Sequence, residues 1–569
     1  MHSMLFLITG IFAMDVGAQW TFTGNSSASW EEAIARYREL DQRHTRAKLL
    51  EIGHDDDGST IHLFVIASNG VFDPDAVERN TLWITNGIHP GEPDGIDASL
   101  IFAKALLEDD HLAQFTRHTT VCIVPVYNVW GAKQRQRPSR PDQNGPEEHG
   151  IRANAKNLDL NRDFVKLDAS NSRALIAALQ QWDPDVYFET HVSDGADHQY
   201  VMELLPTQKD KLDGSLGSFM AGTLIPDLHA WMDSMSILMC PYFETLREVP
   251  DSGLVEFLDS PRYSTGYNAL FDRIGILAES HMLKPFADRV NATLQLMLAT
   301  VSAMDRHHEE LQQARAQAIQ NTVAAGSIGS NWELDTTHVE MLPFMGYAFT
   351  QTPSPVSGLP RLAYDRSRPV DLLVPWYGRY KPALEIRKPR AYLVPQAWKE
   401  VIDRLLNNGV KVITLDHDSL LDVEVYRIEE YATTRYPFEG HYLHHAIQCS
   451  LTLENAIARK GDVLIQMGRS SDRFVMAVLE PACSDSYFAW GFFDPILQQK
   501  EWFSPYAFEE KAAELLEKDP TLREAFDARR ANDPAFAADG TAQLVFILTR
   551  SAYGELAFKR YPVLRVIDP

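Results

Sequence analysis

His89 and Glu92 lie in the stretch WITNGIHPGEPDG, between two prolines and three glycines, directly after the apolar, β-branched run Thr81–Thr85. An imidazole and a carboxylate are N and O donors. A catalytic zinc takes three such protein ligands and leaves a fourth position open to water. The His-x-x-acid spacing alone carries little weight, because His54 with Asp57 and His307 with Glu310 share it. The first of those pairs lies in HDDDG, which reads as a solvated turn, and the second on a long helical stretch, as an exposed face. His89 and Glu92 differ in their place. They follow a buried strand and precede a helix, at the carboxyl end of a sheet, where α/β proteins build their sites. His191, leaving the strand-like run VYFETHVS, supplies a third donor. Glu279 leaves another apolar run, IGILAES. A glutamate there is costly unless paired or functional, and a metal hydrolase needs a general base to take the proton of its activated water. Prolines stiffen the ligand loop and glycines let it turn sharply, so both ligands are held at fixed geometry.

The elements that must position these residues follow from periodicity. SWEEAIARYREL is an amphipathic helix with Ser29 and Glu32 at capping-box spacing. TIHLFVIAS, TLWITN, TTVCIVPVYN, DPDVYFETHVS and DRIGILAESHM read as strands, and DGIDASLIFAKALLED and SRALIAALQQW as helices between them. This alternation predicts an α/β fold: a mostly parallel or mixed twisted sheet with helices on both faces. A long helical stretch from Pro285 to about Ala325 predicts a domain boundary there. The organisation expected is a signal peptide over 1–18, a catalytic domain over 19–325, and a second α+β or α/β domain over 326–569. The second domain contains a βαβ-like unit, RAYLVPQAWKEVIDRLLNNGVKVITLD.

The chain has 569 residues, more than one hydrophobic core usually serves. A formal charge of −25 argues against a nucleic-acid partner. The apolar stretch Met4–Met14, with Val16 and Ala18 before Gln19, predicts export to the periplasm or the medium, although no Lys or Arg precedes it. No other run is apolar enough to span a bilayer. Cys122, Cys240, Cys449 and Cys483 have no metal-type spacing and read as inert thiols. His441, His444 and His445 cluster without an evident acidic or cysteine ligand. The nine aromatics of Tyr487–Phe508 read as core or interface.

HPGE, NLDLNRDF, ETHVS, PRYSTGY and LAES, in that order, resemble the zinc carboxypeptidases related to carboxypeptidases A and B. The resemblance covers roughly residues 25 to 300, and Glu92 and His191 stand 99 positions apart, compatible with that family's long ligand spacing. It implies one Zn2+ held by His89, Glu92 and His191, with Asp159 orienting His89. It implies Asn161 and Arg162 gripping a substrate's terminal carboxylate, Glu279 as general base, and Tyr263 closing over substrate with Tyr267 as its neighbouring competitor. Arg140 is favoured for polarising the scissile carbonyl over Arg135, Arg137 and Arg152. Leu270 is placed at the base of the specificity pocket, which favours apolar C-terminal residues. The interval from Tyr263 to Glu279 is 16 positions, shorter than usual, and the second domain has no counterpart in the small family members, as in a less familiar bacterial branch. The expected substrate is a peptide, or peptide-like molecule, with a free C-terminal carboxylate. A zinc amidohydrolase such as a deacylase or cell-wall peptide hydrolase is the second reading, and a non-catalytic peptide-binding protein the third.

Overall fold

A computed structural model describes residues 18–77, 79–135 and 139–568. The expected signal peptide therefore lies outside the described residues but for its last position. The chain forms two compact units. The first runs to Lys388 and takes in Arg404–Val410 and Gly468–Ala477; the second is Pro389–Asp403, Lys411–Met467 and Val478–Pro569.

The first unit opens with α1 (Trp30–Arg43), whose Ser29 and Glu32 form the reciprocal capping box read from the sequence. Its strands follow: β1 (Ala47–His54), β2 (Thr60–Ile66), β3 (Asn80–Thr85), β4 (Thr119–Val124), β5 (Val186–Ser193), β6 (Met202–Pro206), β7 (Met239–Pro241), β8 (Phe243–Thr245), β9 (Leu254–Glu256) and β10 (Ile274–His281). An eight-stranded sheet has the order β1-β2-β4-β3-β5-β10-β6-β7. Its centre, β4-β3-β5-β10, is parallel. The pairs β1–β2, β2–β4 and β10–β6 are antiparallel, so the sheet is mixed. Every residue of those four central strands is buried, as expected for strands with both faces covered.

The longer helices that follow α1 in this unit are α2 (Asp94–Glu108), α3 (Ser170–Trp182), α4 (Phe286–Arg306) and α5 (His308–Ala324). Two positions around the ligand loop admit only glycine, one in the turn after β3 and one where the start of α2 passes close to β5. Gly87 has φ +63°, and a Cβ on Gly95 would lie 2.0 Å from Thr190 Oγ1. At the first residue of α2, the buried Asp94 carboxylate meets Arg289 of α4 at 2.8 and 3.2 Å. The rest of that guanidinium donates to the carbonyls of Asn144, Gly145, Met282 and Lys284. Ser280 of β10 donates to the same Asp94. One ion pair thus joins the ligand loop, the end of β10 and α4.

The helical stretch ends at Ala324, and the chain beyond it stays in the first unit as far as Lys388. It adds β11 (Ser327–Leu334), β12 (Glu340–Pro353), β13 (Pro360–Tyr377) and β14 (Tyr380–Arg387). The β12–β13 hairpin joins β9 and β8 in a four-stranded sheet, while β11 pairs β14.

The second unit is built on β15 (Ala391–Val394), β16 (Ile413–Thr414), β17 (Ser419–Thr433), β18 (His444–Ala458), β19 (Val463–Gln466) and β20 (Leu564–Asp568), in the order β16-β19-β15-β20-β17-β18. β15 and β16 are both antiparallel to β19, so the βαβ-like unit has a third strand inserted between its two. Tyr487, Phe488, Trp490 and Phe493 are buried, whereas Trp502 and Tyr506 are exposed. His444 bonds Thr433 and Asp494, and His441, His444 and His445 make no metal-binding group among the described residues. Cys122, Cys240 and Cys449 form no disulfide. No helix among the described residues is long and apolar enough to cross a membrane.

Removing one partner of a fully buried ion pair leaves an uncompensated charge. Arg289→Ala should therefore lower unfolding stability by about 3–5 kcal/mol, read from guanidinium denaturation at neutral pH. A change within the scatter of a surface substitution would show that Asp94 does not depend on Arg289.

Candidate active site

The carboxyl ends of β3, β5 and β10 converge on one cleft of about 210 Å³. β3 delivers the loop carrying His89 and Glu92. β5 carries His191, and β10 places Glu279 directly beside it in the parallel register. One donor atom from each of His89, Glu92 and His191 falls within 4.8 Å of the others, and all three side chains are buried. Glu92 Oε2 lies 3.4 Å from His89 Nδ1 and 3.1 Å from His191 Nδ1, and accepts the Val192 amide at 3.0 Å.

Carboxylates stand behind the other ring nitrogens. His89 Nε2 donates to Asp159 Oδ1 at 2.8 Å, which leaves Nδ1 with its lone pair. Asp159 is itself fixed, because Oδ1 also accepts the Asn161 amide and Oδ2 takes Nε and Nη2 of Arg152. His191 Nε2 has Glu189 Oε2 3.3 Å away but off the hydrogen-bonding axis, an ionic neighbour rather than an aligned bond. Glu189 is wholly buried and holds the Ser264 and Tyr187 hydroxyls.

The charges are strongly perturbed. Burial alone would raise the Glu92 carboxyl, but His89, His191 and Arg140 outweigh it and hold Glu92 well below the usual carboxylate range. Burial opposes charge on His191, yet Glu279, Glu189 and Glu92 pull its pKa up to about 10. Asp159 also lies well below its ordinary value, where His89, Arg152 and Arg162 overcome its burial. Glu279 goes the other way. Burial pushes it up to about 8, His191 only partly offsets this, and Glu92 and Glu203 add to the rise. Buried carboxylates thus concentrate positive charge at the convergence of two imidazoles and Glu92. That donor set and that field fit a zinc ion.

Other residues singled out in the sequence are partly gathered here. Asn161, Arg162, Tyr263 and Arg140 line the cleft. Asn161 Oδ1 is buried with no hydrogen-bond partner. Arg162 donates to the Asn161 carbonyl at 2.8 Å, stands 3.9 Å from Asp159, and stacks over Tyr263 with 4.4 Å to the ring centroid. Asp163 is paired with Lys166 instead. Arg140 bonds Glu92 Oε1 and the Val192 carbonyl, and Arg152, also lining the cleft, approaches the same Glu92 oxygen at 3.3 Å. Tyr267 and Leu270 are not brought in. The Tyr267 hydroxyl is buried between Gln180 and Asn408, and Leu270 caps the short helix Ser264–Ala269. The apolar wall is formed by Leu205, Phe257 and Leu277. Sequence reasoning missed Glu189 and left Arg152 behind Arg140. A glutamate inside an otherwise apolar buried strand, two positions before His191 and so on its face, was the available signal for Glu189.

Residues 34–194 match the zinc carboxypeptidase family model. Carboxypeptidase 2 of Trichophyton rubrum is 21% identical over 452 residues, covering 76% of this chain and 77% of its own. Carboxypeptidase 2 of Trichophyton tonsurans is 21% identical over 455 residues, covering 76% and 77%. Among solved structures, a metallo-carboxypeptidase from Burkholderia cenocepacia aligns with a TM-score of 0.37 and 16% identity, over 49% of this chain and 70% of that one. One from Pseudomonas aeruginosa aligns with a TM-score of 0.38 and 14% identity, over 50% and 70%. His89, Glu92 and His191 all lie within the stretch that matches the zinc carboxypeptidase model. That match supports a zinc metallopeptidase of the carboxypeptidase type.

Asp159 fixes both the tautomer and the orientation of His89. Asp159→Asn should weaken zinc binding about 10- to 100-fold, as loss of an outer partner does, measured by competition with a chromogenic chelator. Unchanged affinity would remove Asp159 from the support of the metal.

Proposed function

We propose that this chain removes the C-terminal residue of peptides, with Glu279 as general base and Asn161 and Arg162 as the clamp on the terminal carboxylate. The observation that carries the reading is the pairing of Glu279 with His191 across β5 and β10, one strand position bearing a metal donor and the next a carboxyl raised by burial. Zinc held by His89, Glu92 and His191 would supply Lewis acidity to polarise the scissile carbonyl and acidify water. Glu279 takes the proton of the attacking water and passes it to the leaving amine. The guanidinium groups of Arg140 and Arg152 face the same cleft and supply hydrogen-bond donors where negative charge develops on the carbonyl oxygen. Asn161 and Arg162 bind the terminal carboxylate, and Tyr263, already stacked on Arg162, covers it. The side chain of the departing residue meets Leu205, Phe257 and Leu277, which supports an apolar preference without Leu270.

Glu279→Gln should keep zinc and substrate affinity and lose most of kcat, since an amide cannot accept the proton. The base works only when ionised. In the wild type kcat/KM should therefore fall as pH drops through the Glu279 pKa, and the residual activity of Glu279→Gln should lack that acidic limb. Wild-type turnover in the variant would make Glu279 structural.

The clamp separates exo-acting cleavage from amidohydrolase or endo-acting chemistry. A peptide capped as its C-terminal amide leaves the Arg162 charge unmatched, at a cost of roughly 2–5 kcal/mol and so about 30-fold or more in kcat/KM. Arg162→Ala should show that loss on free-acid peptides and little further loss on amidated ones, because both changes remove one interaction. Equal wild-type rates on free-acid and amidated peptides would overturn the carboxypeptidase reading.

A further inference from the structure

Beside the cleft, the same strands gather a second set of donors that the proposed reaction does not use. His198 lies between β5 and β6, Glu203 in β6 and His281 at the end of β10, and they are only 1%, 3% and 0% exposed. One ligand atom from each comes within 4.8 Å of the others, the same limit met by His89, Glu92 and His191. His198 Nε2 is 3.2 Å from Glu203 Oε1. The rings of His198 and His281 stand 4.4 Å apart between centroids at 69°, against 4.9 Å and 63° for His89 and His191.

The surroundings prepare these donors much as Asp159 prepares His89. His281 Nε2 donates to the Ala196 carbonyl at 2.9 Å, which fixes the tautomer and leaves the lone pair on Nδ1. The Leu283 amide donates to that nitrogen at 3.3 Å, the one bond a metal at Nδ1 would replace. The Ser193 hydroxyl donates to Glu203 Oε1 at 2.6 Å and orients the carboxylate. His198 Nδ1 is buried with no hydrogen-bond partner. Nearby charges are otherwise engaged: Asp197 pairs with Arg366, and the Lys284 ammonium donates to the His198 carbonyl. Two imidazoles and a carboxylate, closed off from solvent, are a donor set for zinc rather than for calcium or magnesium, which take oxygen shells.

We propose that His198, Glu203 and His281 hold a second zinc ion, one that clamps the segment between β5 and β6 to the strand ends beside the catalytic cleft. It is distinct from the ion held by His89, Glu92 and His191, and it takes no part in the hydrolysis.

Elemental analysis of the full-length protein, equilibrated with zinc and freed of excess, tests this. The wild type should hold two zinc ions per chain. His281→Gln, whose amide can still donate to Ala196, should hold one, His191→Ala should also hold one, and the double variant none. The His281→Gln protein should keep peptidase activity within a few-fold, because the catalytic ion stays, while its thermal midpoint falls below that of the wild type. A wild-type ratio of one overturns the proposal by itself, whether or not the variants fold. So does a His281→Gln protein that still holds two.

Discussion

The site depends on one buried carboxylate. Glu92 is 3% exposed, and its two oxygens meet His89, His191, the Val192 amide, Arg140 and Arg152. A carboxylate so far from water persists only if its charge is matched and its lone pairs are filled. The groups that match it come from three parts of the chain: its own loop, β5, and the segment around residues 140–152. Assembling the site and neutralising Glu92 are therefore the same event. The two arginines sit where they are needed for this balance and thereby also face the cleft.

The loop that carries Glu92 is held from both ends. Before it, β3 lies between β4 and β5 with all its residues buried. After it, Asp94 is locked to Arg289, which also gathers four backbone carbonyls. Gly95 lets α2 pass against Thr190 of β5, one residue from His191. Positioning to the fraction of an ångström that a metal site needs comes from these rigid neighbours rather than from the loop itself.

Much of this was legible from residue order. Strands such as TLWITN and IGILAES are short apolar runs ending in a polar group, and that break marks both the strand end and the chemistry. Asp159 and Asn161 are near neighbours in the chain, and a short turn joins them, with the Asp159 carboxylate accepting the Asn161 amide. What depended on distant packing was not legible. Tyr263 and Tyr267 are four residues apart on one short helical turn, and only the tertiary neighbours send the first to Arg162 and the second to Gln180 and Asn408. Leu270 was placed by counting along the chain; it caps the helix Ser264–Ala269, and Leu277, Leu205 and Phe257 line the cleft. The pairing of β13 with β9 joins residues more than a hundred positions apart, which no local pattern announces.

The remaining question is why so many acids are buried together. Glu279 of β10 stands directly opposite Glu203 of β6 in the antiparallel register, and Glu189 of β5 lies two positions before His191, the partner of Glu279 on the other side. Like charges at such a position oppose strand pairing. The protein offsets part of this with hydroxyls on Glu189 and Glu203 and with His191 between Glu189 and Glu279. Part is left in place as the raised Glu279 carboxyl. Cations drawn to the flanking histidines relieve the same repulsion, so metal binding and the stability of the sheet's active edge are linked quantities. The carboxyl crowding that would destabilise an ordinary strand end is here, together with burial, what raises the Glu279 carboxyl.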